Sequence, residues 1–424
     1  MVFRRDLNFY CFLADAILVP FAASFFDIGM VISYFFVGLG VSNMYLSIYT
    51  ATGTLFFNVP QIYMSYRFEG LSRVKPTFFR YLILSRVVLL VYPAAAFYLA
   101  GVDNELLVVV VILTYAASNL LSALFIPGYY IMLSQSIDHG SRGKLYGTGA
   151  LFSGALILLA TYMINHFLKN YDFRIAYFLI FLCGSIILIG VSICFFPVGE
   201  SERNVISKRP GFSGYLHESS AIIYRDKDFT AYLITSVFTY ISYCASIYLI
   251  PFVTRELDAS VQMLTIYITT GFVSFIAGSF AAGVLGDIFG KKNVATVAVF
   301  INAGSILFVI FSRNAFLMLI PIAVCSFTFK TFYQINLVLA VKYGEKAENG
   351  RVSLYTAAYN LIVNSAAVAV LLIFGIIGEA YSLKAVFAIC LVSGIVSFYM
   401  FVRKVHISEE KNVPPFLNTK NGRI

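Results

Sequence analysis

Three charged side chains interrupt long apolar stretches of this sequence: Asp15, Arg86 and Lys330. A charge buried in lipid costs about 2.5–3.5 kcal/mol on insertion scales, so each of the three needs a physical reason. Asp15 is the one acid that we place well inside an apolar segment, and a carboxylate there can take up a proton or a cation for coupling. A static ion pair or a cap is the alternative. Arg86 is expected to be structural, with its side chain snorkelling or holding neighbouring segments.

Lys330 has two further polar side chains, Tyr333 and Gln334, within one helical turn. An ammonium and an amide offer hydrogen-bond donors inside a low-dielectric surrounding, which suits a polar or anionic substrate. The alternative is that Lys330 is a structural partner of Asp15 or of a helix carbonyl. We therefore predict Lys330, Tyr333 and Gln334 as substrate-binding residues.

The composition requires that these side chains are positioned by membrane helices. Of 424 residues, 60% are hydrophobic and 12% charged, and the mean hydropathy is +0.84. A span needs about 20 apolar residues, and the chain has room for about a dozen. The net charge of +9 does not indicate nucleic-acid binding, because the cations lie in short loops and not on one basic face.

Neither the cysteines nor the histidines form a catalytic or metal-binding pattern. The six cysteines fall separately inside apolar segments, which excludes a disulfide framework and a clustered metal motif. The four histidines are far apart in or beside loops, and no phosphate loop or pair of membrane carboxylates is found. We expect no cofactor, no metal and no enzyme activity.

The hydropathy pattern predicts twelve helices in two groups of six. The predicted helices cover about 8–30, 44–66, 77–99, 106–133, 145–167, 175–197, 229–252, 261–282, 293–311, 315–341, 352–377 and 384–402. Residues 198–228 form the one long hydrophilic interruption, with a short amphipathic surface helix in its second part. We predict an N-terminal bundle (1–197), this linker (198–228), a C-terminal bundle (229–403) and a tail (404–424).

The distribution of Lys and Arg predicts that both termini are cytoplasmic. Arg86 and Lys330 are embedded, and the rest of the 30 cations fall on the cytoplasmic side except for five outer ones, which are Lys169, Arg174, Arg255, Arg313 and Lys384. Such an asymmetry follows the positive-inside rule.

A turn between the eighth and ninth helices carries an acid, a glycine and two cations. It lies in the stretch Gly283-Val-Leu-Gly-Asp-Ile-Phe-Gly-Lys-Lys292, in which Gly290 gives the backbone freedom of a tight reversal. Asp287 can cap the next helix or pair with a neighbouring cation such as Lys291. A degenerate second copy follows the second helix, where Glu69, Ser72 and Arg73 match Asp287, Gly290 and Lys291.

The pattern Gly-x-x-x-Asp-x-x-Gly-Lys-Lys resembles the cytoplasmic signature loop of the major facilitator superfamily of secondary transporters. The resemblance implies an all-α integral membrane protein, with twelve transmembrane helices in two pseudo-symmetric six-helix bundles. It also implies that Asp287, and Glu69 in the first half, bridge neighbouring helices in a gate with Gly290, Lys291 and Arg73. The better copy of the motif is usually the first, whereas here it is the second.

In this family helices 1, 4, 7 and 10 line the cavity, and helices 2, 5, 8 and 11 lie between the halves. The resemblance therefore implies substrate contacts from Tyr240, Tyr243 and Asn119. Polar side chains at helical spacing on the second helix, from Ser47 to Gln61, would face protein or water and not lipid.

We therefore expect a monomeric, multi-pass cell-membrane protein that moves a small solute by alternating access, coupled to a proton at Asp15. The alternatives are a facilitated-diffusion uniporter without ion coupling and a solute-sensing receptor built on a transporter fold. Such receptors usually have a long cytoplasmic extension, and the tail after residue 402 has only 22 residues. Binding without flux in proteoliposomes would indicate the receptor.

Overall fold

The structure is a computed structural model that describes residues 2–68, 70–137, 139–200, 211–214, 221, 225–346 and 352–406. Most of the predicted linker and nearly all of the predicted tail lie outside these residues. Within them the protein is helical, without strands. This confirms the predicted all-α class.

Twelve long helices follow one another in the described residues, as predicted. Helix α1 is built from the segments Val2–Ala23, Ser24–Phe26, Ile28–Ile32 and Ser33–Gly38; the others are α2 (Asn43–Phe68), α3 (Lys75–Leu99), α4 (Asn104–Ser136), α5 (His139–Asn170), α6 (Phe173–Ile193), α7 (Lys227–Arg255), α8 (Val261–Phe289), α9 (Lys291–Phe311), α10 (Phe316–Lys346), α11 (Val352–Ala380) and α12 (Leu383–Arg403). Six of them (α1, α2, α4, α5, α7 and α12) extend beyond the predicted apolar cores at both ends, because polar residues extend the first and last turns. Helix α6 ends at Ile193, four residues before its predicted end.

Eleven of these helices are both long enough and apolar enough to cross a membrane. The exception is α2, whose 26 residues include the predicted polar side chains. Several of these bond to carbonyl oxygens one turn earlier in the same helix: Thr50 to Leu46, Thr54 to Thr50 and Asn58 to Thr54, at 2.8–2.9 Å. This internal pairing lowers the cost of burying them, so α2 is sufficiently long and satisfied to serve as a span although its hydropathy is low.

Helix α1 is interrupted in its second half, which the sequence analysis did not predict. The α-helix passes through Pro20 to Ala23 and is followed by a 3-10 turn; Asp27 is then extended (φ −61°, ψ 126°) before a π-helical turn begins at Ile28. The span continues to Gly38, so its predicted end at Met30 was wrong. Asp27 consequently lies inside the membrane segment, and Asp15 is not the only embedded acid.

The described chain forms two compact units. Unit 1 comprises 1–215, 250–269 and 368–380, and unit 2 comprises 216–249, 270–367 and 381–424. In unit 1, α2 packs on α4, and α1 packs on α5 and α6; in unit 2, α9 packs on α10 and α12, and α7 packs on α12. The predicted division into two pseudo-symmetric bundles stays a prediction.

A glycine in α5 allows the close packing of α1 on α5. A Cβ atom at Gly149 would lie 2.8 Å from the Cβ atom of Ala16. The backbone next to Asp15 is therefore held tightly against α5.

Candidate functional site

The first embedded cluster, in unit 1, is formed by Asp15 of α1, Arg86 of α3 and Tyr129 of α4. The Tyr129 side chain hydrogen-bonds to the Asp15 carboxylate, and the Arg86 guanidinium interacts with its charge. All three side chains are half-buried. The sequence analysis predicted Asp15 and Arg86 as separate features, and the structure brings them together.

The Arg86 guanidinium is only partly satisfied by protein groups. It lies 5.9 Å from the centre of the Phe125 ring, within the range of a cation–π contact. Its buried Nε atom has no hydrogen-bond partner. An embedded carboxylate beside an incompletely paired cation can change its protonation or partner at lower cost than one in a fully satisfied network.

The second embedded carboxylate, Asp27, caps the continuation of α1. Its Oδ1 atom accepts a hydrogen bond from the backbone N–H of Met30 at 2.8 Å, and the Gly29 N–H also bonds to the carboxylate. The carboxylate thus faces the positive end of a helix turn, which stabilises its charge. Of the residues around Asp27, which include the tyrosines described next, the sequence analysis predicted only Asn119 as a site residue.

Two tyrosines that interact with the charge of Asp27 form a stack beside it. The rings of Tyr49 and Tyr115 lie 4.0 Å apart and nearly parallel, and the hydroxyls of Tyr49 and Tyr92 are 2.8 Å apart. Gly53 makes room for this stack, because a Cβ atom there would lie 2.0 Å from the Tyr115 ring. The predicted substrate residue Asn119 belongs to the same cluster: its side chain bonds to the Tyr115 side chain and donates to the Tyr115 carbonyl oxygen at 2.9 Å.

In unit 2, Lys330 of α10 is surrounded by aromatic rings. Its Nζ atom lies 4.6 Å from the centre of the Phe275 ring of α8 and 5.8 Å from that of Tyr333. Within the described part of the chain no carboxylate pairs with it. Asp15 interacts with Arg86 and Tyr129 in its own unit, and the pairing of Lys330 with Asp15 stays a prediction.

The other residues predicted around Lys330 differ in accessibility. Tyr333 is 53% exposed, and Tyr240, which interacts with it, is half-buried. Gln334 is exposed and its amide donates to the Ser279 hydroxyl of α8 at 3.3 Å. Tyr243 is only 3% exposed, and its hydroxyl donates to the Thr328 carbonyl oxygen at 3.0 Å. This contact gives Tyr243 a packing role, whereas Tyr240 and Tyr333 present accessible surface.

The predicted signature turn is shorter than expected. Helix α8 continues through Asp287 to Phe289, and the reversal is made by Gly290 alone, whose φ of 87° is open to glycine but unfavourable for other residues. Asp287 pairs with Lys291 across it at 3.4 Å, with the Asp287 side chain 70% exposed. Of the two roles considered for Asp287, this is the pairing with a neighbouring cation.

The second copy of the motif is only partly described. Glu69 lies outside the described residues. Arg73 is exposed in the α2–α3 loop. The predicted gate function of these residues and of Asp287, Gly290 and Lys291 stays a prediction.

The comparison with known sequences matches the C-terminal part of the chain to one family. The family model for the Major Facilitator Superfamily matches residues 231–420. No curated protein sequence matches the chain.

Solved structures of transporters match nearly the whole fold. A bacterial homologue of the human lysosomal transporter Spinster, in an inward-facing and occupied conformation, covers 95% of this chain and 96% of its own at 11% identity and a TM-score of 0.64. A variant of the nucleoside transporter NupG covers 94% and 98% at 13% identity, with a TM-score of 0.66. The E. coli fucose:proton symporter FucP covers 94% and 98% at 16% identity, with a TM-score of 0.60.

The chain therefore has a fold similar to that of these solved transporters, and its helices are those of a multi-pass membrane protein. The family match covers the C-terminal part of the chain, which includes the signature turn, and it agrees with the resemblance of that turn to the major facilitator superfamily.

Proposed function

We propose that the protein is a secondary active transporter of a small solute that works by alternating access, in which the binding site opens to one side of the membrane and then to the other. The observation that carries the proposal is the Asp15–Arg86–Tyr129 cluster: a carboxylate deep in a membrane helix, with a hydroxyl and a guanidinium from two other helices. Embedded ionisable groups of this kind are costly and typical of ion pathways.

In this proposal Asp15 is the coupling site, and the coupled ion is a proton. Protonation of Asp15 removes the attraction to Arg86 and changes the role of Tyr129, which bonds to the carboxylate. Because the Arg86 Nε atom has no hydrogen-bond partner, the guanidinium has donor capacity for a rearranged state. The solute is bound by Lys330 and the accessible rings of Tyr333 and Tyr240, with Gln334 one turn away; Asn119 is a further proposed contact.

The proposed orientation places both termini in the cytoplasm of a cell that carries the protein in its cell membrane. The uneven distribution of Lys and Arg supports it. The proposed domain arrangement is two six-helix bundles, 1–197 and 229–403, joined by the linker 198–228, with the protein acting as a monomer. A gate formed by Asp287, Gly290 and Lys291 would then lie at the cytoplasmic face.

Transport by an Asp15→Asn variant in proteoliposomes tests the coupling. The variant should lose accumulation of solute against its gradient but retain exchange of labelled for unlabelled solute, because exchange does not need net proton movement. Asp6→Asn is the matched control, since Asp6 is exposed on the same helix and should leave both activities unchanged. Full concentrative uptake by Asp15→Asn would overturn the coupling assignment.

The same assay separates the alternatives. A uniporter would equilibrate solute in the wild type without ever concentrating it. A receptor would bind solute without flux. A trapped pH-sensitive dye in the liposome lumen would show directly whether protons enter with the solute.

A further inference from the structure

Four charges in the described membrane spans lie far from either end of their helix, and three of these have a polar partner. They are Asp15, Asp27, Arg86 and Lys330. Asp15 and Arg86 interact with each other, and Asp27 is stabilised by backbone N–H groups. Lys330 has aromatic rings around its ammonium group instead.

The aromatic contacts hold the Lys330 ammonium without neutralising it. A cation–π contact is worth about 0.5–2 kcal/mol and leaves the net charge in place, whereas an embedded charge costs about 2.5–3.5 kcal/mol. The site therefore carries a positive charge that described protein groups only partly compensate. A bound anion would supply the missing compensation.

The polar side chains next to Lys330 are already bonded to the protein. Thr331 Oγ1 donates to the Gly278 carbonyl at 3.0 Å, Thr328 Oγ1 donates to the Val324 carbonyl at 2.7 Å, and the Gln334 amide donates to Ser279. A solute with many hydroxyl groups would find few free partners among them. The Lys330 ammonium is the charged donor of this group, and no bond from it to protein is found among the described residues.

The surface that surrounds this ammonium is aromatic and accessible. The Tyr333 side chain is 53% exposed. The centre of the Phe329 ring lies 6.1 Å from the centre of the Tyr333 ring. Phe275 and Tyr240 are half-buried. Flat aromatic faces contact an apolar body over a large area at little cost in side-chain entropy.

We infer that the transported solute is an organic monoanion, with one carboxylate or similar acidic group that pairs with Lys330 and an apolar or aromatic body that packs on Phe275, Tyr333 and Tyr240. This inference rests on the proposed transport function and specifies its substrate class. A neutral sugar or an organic cation would leave Lys330 uncompensated.

Matched acids and amides test the charge requirement on the purified full-length protein. The probes are phenylacetate, indole-3-acetate, 4-hydroxybenzoate and octanoate, each compared with its own neutral amide. A ligand that binds only the folded state raises the unfolding temperature, and the rise grows with the ratio of the ligand concentration to its Kd. At least one acid should stabilise the wild type while its amide, at the same concentration, does not.

Variants locate the effect at Lys330. Lys330→Gln should weaken the apparent affinity for the stabilising acid at least tenfold, and Lys330→Arg should recover part of it. Phe275→Leu, which keeps an apolar side chain but removes the ring, should weaken it a few-fold, because the ammonium is no longer fixed. Lys342→Gln, a change of the same type near the end of α10, should leave the affinity unchanged.

Three results would overturn the inference: amides that stabilise as well as acids, acids that stabilise Lys330→Gln as well as the wild type, or a panel in which no acid stabilises the wild type. Failure of the proposed function gives a different result, in which the acid binds through Lys330 but does not cross the membrane of proteoliposomes. The two failures are therefore distinguishable.

Discussion

The Ser42 hydroxyl donates a hydrogen bond to Oε2 of Glu379 at 2.8 Å, which joins the α1–α2 loop to the last turn of α11. Beside it, the guanidinium of Arg255, the last residue of α7, donates to the carbonyl oxygen of Val41. Arg255 also interacts electrostatically with Glu379. All four residues belong to unit 1. They form a polar clasp that holds this loop against the ends of two later helices.

Removal of Arg255 from this clasp should loosen the loop. Arg255→Gln weakens the charge-assisted bond to Val41 and the attraction to Glu379, and such bonds are worth about 1.5–3 kcal/mol. We expect a cysteine introduced at position 41, which is 8% exposed in the native protein, to react about tenfold faster with a membrane-impermeant maleimide in Arg255→Gln than in the parent.

The control for this prediction is Arg313→Gln, which removes another exposed cation from the α9–α10 loop. It should not change the labelling rate of the introduced cysteine. Protein without that cysteine gives the background, which should be low because the six native cysteines are buried or half-buried. Equal rates in Arg255→Gln and its parent would show that the clasp does not hold the loop.

A second prediction concerns Glu200, which caps a helix that is distant in sequence. Its carboxylate accepts hydrogen bonds from the backbone N–H groups of Val74 and Lys75 at the start of α3. Lys75 Nζ in turn donates to the carbonyl oxygens of Phe196 and Val198 at 2.7 and 2.8 Å. Glu200→Ala leaves N–H groups at a helix start unsatisfied, and the expected loss of stability is about 1–3 kcal/mol.

Thermal unfolding followed with a thiol-reactive dye measures this loss, since the protein contains no tryptophan but buries several of its six cysteines. Glu256→Ala is the control, because Glu256 is an exposed acid in the α7–α8 loop. It should unfold at the temperature of the wild type. If both variants unfold at one temperature, the cap formed by Glu200 does not contribute to stability.

The helices could be predicted from the sequence because lipid imposes a length and an apolar composition on each of them. Even α2, which is too polar to qualify as a span by its mean hydropathy, was predicted with the others, and its polar residues recur at helical spacing. The turn at Gly290 was predicted because a glycine next to an acid and two cations, between two apolar segments, is typical of a tight reversal. These are local properties, which a single segment contains in full.

The contacts between helices could not be predicted in the same way. Asp15 and Arg86 are 71 positions apart, and no local pattern shows that α1 and α3 bring them together. Phe275 is one of 42 phenylalanines, and only the packing of α8 on α10 distinguishes it. The sequence contains a weak signal for the break at Asp27, which is an acid followed by Gly29 and a further apolar run. The predicted helix was ended at about the length of one membrane span, so the apolar run after Gly29 was not assigned to it.

The relation of Asp15 to Arg86 leads to a third prediction, on stability. Removal of one member of an embedded charge pair leaves the other uncompensated, at a cost of about 3–5 kcal/mol. Arg86→Gln should therefore lower the unfolding temperature strongly, and the double variant Asp15→Asn/Arg86→Gln should recover much of the loss. A double variant in which the two losses simply add would show that the side chains do not interact energetically.

The last prediction tests the close packing of α8 on α10 that positions Phe275 against Lys330. A Cβ atom at Gly278 would lie 2.3 Å from the carbonyl oxygen of Phe327, a backbone atom that cannot rotate away. Gly278→Ala should therefore separate the helices at a cost of about 1–3 kcal/mol.

Gly283→Ala is the matched control on α8, since a Cβ atom there meets nothing within 4 Å. The higher helix propensity of alanine should leave the stability of this variant equal to that of the wild type or raise it by up to about 1 kcal/mol. Thermal unfolding of both variants compares the two effects, and equal stability of Gly278→Ala and Gly283→Ala would contradict the close approach of α8 to α10.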